Sequence, residues 1–131
     1  MRPTEISSLF FPPIVLFTIY NKNYILLISE IPLTTTTILH HHKLVSNIVT
    51  TDILFAHYSF WFHIYFAYYY SNFAIYTYCL CPILFIISNI FYYYRDYDNS
   101  QRSHATMHYM LILGTFFLNL TMDNKNILQN S

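Results

Sequence analysis

The sequence predicts a mostly α-helical, small integral membrane protein, with one transmembrane helix near 71–94 and up to three in all. Its linkers and tail are polar, and its packing is predicted to be loose. Three observations predict this. Charged residues make up 9% of the 131-residue chain and hydrophobic residues 55%, where about 25% charged is usual for soluble domains. The 42 residues from Ile53 to Tyr94 contain no Asp, Glu, Lys or Arg. Two tyrosine triplets, Tyr68–Tyr70 and Tyr92–Tyr94, stand 21 residues apart, and Tyr concentrates at both faces of a bilayer.

Region 1–52 comes first. Its apolar segment, 9–29, opens with "LFFPPIVLFTIY" and is cut by "NKN" at 21–23. A Lys in the middle of a span costs about 2.5–3.5 kcal/mol on the insertion scale, so this segment is a marginal span. The opening resembles a signal-peptide core only superficially. Glu5 interrupts the basic start, Pro12 and Pro13 interrupt the apolar part, and no small-residue cleavage site follows. Residues 30–52 read as a polar linker, rich in Thr and His, with "TTTT" and "HHH" as short homopolymer tracts.

Region 53–94 is the hydrophobic membrane region. Lipid admits only helices and closed barrels, because every backbone polar group must be paired internally. A chain of this length without alternating strands does not close a barrel. The 21 residues between the triplets reach about 32 Å as a helix, close to the hydrocarbon thickness of about 30 Å. Segment 53–70 is either a second span, turning back at Ser71 and Asn72 in a helical hairpin with 71–94, or an interfacial helix. The hairpin is the preferred reading. Pro82 lies inside the main span, where membrane helices tolerate it.

Region 95–131 reads as a polar tail with a short apolar patch at 109–120, which is either an interfacial helix or a poor third span. Arg95 and Arg102 follow the main span, so the positive-inside rule puts this region on the cytosolic side. The formal glycosylation acceptor at Asn119 would lie there too. Gly114 is the only glycine, so left-handed turn positions must be filled by other residues, Asn being plentiful.

Little in the sequence carries chemistry. No Gly-rich phosphate loop or Gly-flanked nucleophile occurs, so no catalytic residue is assigned and no enzyme activity is expected. The six basic residues are scattered, which argues against nucleic acid as a partner. Cys79 and Cys81, in "CLC", read as small hydrophobes of a helix. His104 and His108 stand four apart and share a helical face, but two histidines make an incomplete metal site. They read as exposed residues on an amphipathic turn, and no metal or other cofactor is assigned. In "HHHK", His40 to Lys43, neighbouring side chains on a helix point in different directions. His57 and His63 are placed near the headgroups or between helices.

Twelve Phe stand against three Lys, the pattern of a T-rich coding strand. In composition the whole chain resembles small hydrophobic membrane proteins read from doubtful frames in A/T-rich DNA. The functional expectation is therefore a multi-pass membrane protein with no identifiable biochemical activity. Its partners are the lipid bilayer and other membrane helices. The alternatives are a small accessory subunit of a larger membrane complex and, more distantly, a histidine-based metal-handling membrane protein.

Overall fold

The structure, a computed structural model, describes the backbone of residues 1–129 and the side chains of residues 1–123. It is all-α. Six helices follow in order: α1 Pro3–Ser8, α2 Phe11–Tyr20, α3 Tyr24–His41, α4 Val49–Tyr70, α5 Asn72–Tyr93 and α6 Tyr97–Gln129.

The helix ends explain why these boundaries fall where they do. Ser71 is extended and caps α5, its Oγ accepting from the amide of Ala74 at 3.2 Å. That one residue separates α4 from α5. α2, α3 and the turn into α6 all end alike. Lys22, Lys43 and Arg95 take φ of 59°, 54° and 60°. Behind each, the amide two residues past the helix cap reaches back five positions: Asn23 to Thr18 O, Leu44 to Leu39 O and Asp96 to Phe91 O. These are Schellman motifs with a basic residue where glycine usually stands. Three cations, not asparagines, thus fill the left-handed positions, and each lies against the negative end of a helix dipole.

Two parts of the chain differ from the expectation. The Thr/His stretch taken as a polar linker is mostly helix, because α3 runs without interruption from Tyr24 through Pro32 and the threonines to His41. Two threonine hydroxyls return to backbone carbonyls one turn earlier, Thr35 to Ile31 O at 2.8 Å and Thr36 to Pro32 O at 3.1 Å. The tail is also not an extension into water, since α6 lies along α5.

α5 and α6 form an antiparallel hairpin held at every level. Ser88 Oγ donates to Ser100 O at 2.9 Å, Cys81 Sγ points at Met107 O at 3.8 Å, and Tyr78 OH pairs with Thr115 Oγ1 at 3.0 Å. The rings of Phe73 and Phe117 close the far end at 4.5 Å. Small residues on α5 (Ala74, Thr77, Cys81, Ser88) are buried along this seam, the close packing by which helices associate in lipid. Packing here is tight where the composition predicts it to be loose. α3 pairs antiparallel with α4, and α1 lies across α3 and α6.

Among the described residues, 21 polar or charged side chains are buried against 11 hydrophobic ones, while Ile83, Ile86, Ile90 and many aromatics face outward. Two helices, Asn72–Tyr93 and the Tyr97–Asp123 part of α6, are long and apolar enough to cross a membrane. Segment 53–70 lies within α4, which is not among these two.

Candidate metal centre

Three histidines from two helices converge at one end of the bundle. His104 and His108 share a face of α6, and His41 is the last residue of α3. Their ring centroids stand 4.9–5.3 Å apart, near-perpendicular in each pair. One ring nitrogen from each lies within 4.8 Å of the others. A tetrahedral zinc site, with Zn–N of about 2.0–2.1 Å, needs about 3.3 Å between nitrogens.

Two of the three histidines have a hydrogen-bonded neighbour. Ser7 of α1 donates its single hydroxyl proton to Thr4 O and stands 2.8 Å from His108 Nδ1. That 2.8 Å contact fixes the orientation of the His108 ring. His41 is buried, its carbonyl accepts from Arg2 Nη2 at 3.0 Å, and its Nε2 has no hydrogen-bond partner. A buried, unpartnered ring nitrogen is a costly feature unless something binds it. Burial, with the neighbouring imidazoles, pushes the His41 pKa down to about 4. The ring is therefore neutral at physiological pH, the form a metal requires.

A second group, His40, His41 and Asp52, also has ligand spacing. Its carboxylate is already satisfied. Asp52 Oδ1 accepts from Thr36 and Thr37 at 3.1 and 3.0 Å, and Oδ2 from His40 Nδ1 at 2.7 Å. The His40 ring stacks on His41 at 4.6 Å. This pair braces His41 rather than competing with the three-histidine set.

His104 and His108 are thus together, as their spacing predicts, but His108 is buried and not exposed. The His40–His42 tract sends each ring to a different partner: Asp52, the centre, and Ser8 Oγ at 3.1 Å. His57 is exposed and His63 buried, both away from this group. The sequence reading missed His41 and Ser7, which lie 63 or more and 101 residues from their α6 partners, and Asp52, which is 12 residues from His40. Only the (i, i+4) pair left a local signal. Comparisons with protein-family models, with curated proteins and with solved structures find no match for this chain.

Proposed function

We propose that this is a membrane-embedded helical protein that binds one transition-metal ion, zinc foremost, through His41, His104 and His108. The observation that carries the metal reading is the approach of one ring nitrogen each from His41, His104 and His108 to within 4.8 Å, with a buried His41 whose Nε2 has no partner. Imidazole ligands suit Zn, Cu, Fe and Ni, and three of them leave a fourth position open to water or another ligand.

The membrane reading rests on a different observation. The interior is polar and hydrogen-bonded while large apolar side chains face out, the reverse of what water selects. In lipid those outward chains need no cover, and the interior hydrogen bonds satisfy the groups lipid cannot. α5 and α6 are then the two legs of a spanning hairpin, with Arg95 at the turn.

The test uses the full chain in detergent, after membranes are washed with alkaline carbonate. Co2+ is titrated to follow its ligand-field absorption, then displaced by Zn2+. One equivalent per chain is expected, lost on His41→Ala, His104→Ala or His108→Ala and kept on His42→Ala or His57→Ala. Binding that survives the triple variant would remove the metal reading, and extraction into carbonate would remove the membrane reading.

A further inference from the structure

Four polar side-chain contacts fasten α1 to the ends of α3 and α6 that carry the histidines. Arg2 Nη2 donates to His41 O at 3.0 Å, and Thr4 Oγ1 donates to Gln101 Oε1 at 2.5 Å. Ser7 Oγ stands 2.8 Å from His108 Nδ1, and Ser8 Oγ stands 3.1 Å from His42 Nε2. Two of the residues reached, His41 and His108, belong to the three-histidine set, and both are buried.

The face that α1 buries is polar throughout. Its buried residues are Thr4, Ser7 and Ser8, while Ile6 is exposed. At a bundle end that meets water, opening exchanges each such bond for one to water, so its net worth is small. Elements held in this way lie at the low end of local stability. The helix also carries its own support. Arg2 N and Nε donate to Glu5 Oε2 and Oε1 at 2.8 and 2.7 Å, and these bonds travel with α1 when it moves. Just beyond α1 the chain is anchored again, with the Phe10 ring 5.7 Å from Tyr109 and the Phe11 ring 5.4 Å from His108. Leu9, exposed, is the joint between the two parts, and hinges are element-terminal residues of this kind.

We propose that α1 is a strap over the metal centre: it swings about Leu9 to let the ion in and out, and its docking sets the exchange rate without supplying a ligand. The strap presupposes the metal reading above and adds how that site is gated. A gate has a kinetic signature. Loosening it speeds entry and exit by the same factor and leaves Kd unchanged, whereas losing the support of a ligand weakens affinity. The Thr4–Gln101 tether touches none of the three histidines, so it separates the two effects.

The test is stopped-flow exchange of Co2+ on the full chain in detergent, with uptake followed by ligand-field absorption and release by transfer to saturating EDTA. Thr4→Val and Gln101→Leu each cut the tether and are expected to speed uptake and release together by about tenfold, the factor that one net hydrogen bond supplies, with Kd unchanged. Thr4→Cys with Gln101→Cys, joined by a short bis-maleimide in a Cys79→Ser, Cys81→Ser background, should slow both rates relative to the same protein before crosslinking. Exchange that neither the tether variants nor the crosslink alters overturns the strap and leaves the metal reading standing. A weaker Kd with an unchanged uptake rate also overturns it, because α1 would then support the ligands rather than gate them. Failure of the wild type to bind Co2+ stoichiometrically overturns both.

Discussion

Gly114 of α6 faces Tyr78 of α5 so closely that a β-carbon on Gly114 would stand 2.6 Å from Tyr78 Cε1 and 2.5 Å from Thr77 Oγ1. Tyr78 is fully buried and bonded to Thr115, so its ring has nowhere to retreat. The one glycine of the chain is therefore spent on helix approach and not on a turn. Gly114→Ala gains up to about 1 kcal/mol of helix propensity and loses about 1–3 kcal/mol to overpacking. A net destabilisation of about 1–2 kcal/mol is expected in detergent melts. An unchanged or higher Tm would show that the two helices are not in this contact.

Ser7 should matter to metal affinity although it is no ligand. It orients the His108 ring through Nδ1, and removing such a support costs about 10–100-fold in affinity. Ser7→Ala is expected to weaken Zn2+ binding by that factor. Ser8→Ala, which frees only His42, should not. Equal affinities for the two variants would contradict the assigned support.

The α5–α6 hairpin predicts that the start and the end of α6 lie on opposite sides of the membrane. Arg95 and Arg102 mark the cytoplasmic side, so Asp98 belongs there and Asp123 does not. On the proposed membrane reading Asn119 would then lie away from the cytosolic side, where the sequence reading expects it. An impermeant maleimide applied outside should label Asp123→Cys and spare Asp98→Cys in a Cys79→Ser, Cys81→Ser background. Labelling of both, or of neither until lysis, would rule the hairpin out as a membrane topology.

Arg in place of Ile83, in the outward face of α5 near its middle, should cost about 2.5–3.5 kcal/mol of insertion, on the order of a hundredfold. Arg in place of Tyr93 should cost little, because its side chain snorkels to the headgroups beside Arg95. Comparable insertion of both variants would mean that the tyrosine triplets do not bracket a span.

Lys43 occupies a left-handed position that L-residues adopt at a cost of roughly 1–2 kcal/mol. Lys43→Gly relieves this and forfeits a favourable charge at the C-terminus of α3, worth about 0.3–1 kcal/mol. A net stabilisation of about 0.5–1 kcal/mol is expected, and a loss for Lys43→Val. Similar Tm values for the two variants would contradict the positive φ.

The sequence made the helical class legible, and with it the joint at Ser71, because an uncharged run of 42 residues admits few structures in lipid. It hid α3, whose threonines carry weak helix propensity but find Asp52 and their own carbonyls as partners. It hid the extent of α6 for a similar reason. Polar residues 97–108 look like a tail, yet Ser100, Ala105 and His108 are buried against the other helices. The metal centre was half visible as His104 and His108. Its third member comes from a tract that looked like a codon repeat, and nothing local distinguishes His41 from its two neighbours.

The Ser7–His108 contact spans 101 residues of chain. The α5–α6 hairpin closes over a three-residue turn, so during synthesis it can form as soon as its second leg emerges. α1 precedes its docking surface on α6 by about a hundred residues, so that surface leaves the ribosome well after α1 does. Long-range closures of this kind are the slow steps of assembly. The N-terminal helix must wait, undocked, until the rest of the bundle is present. On the proposed metal reading, a chain truncated before His104 would keep one of the three histidines, so metal uptake would report completed assembly rather than the presence of the polypeptide.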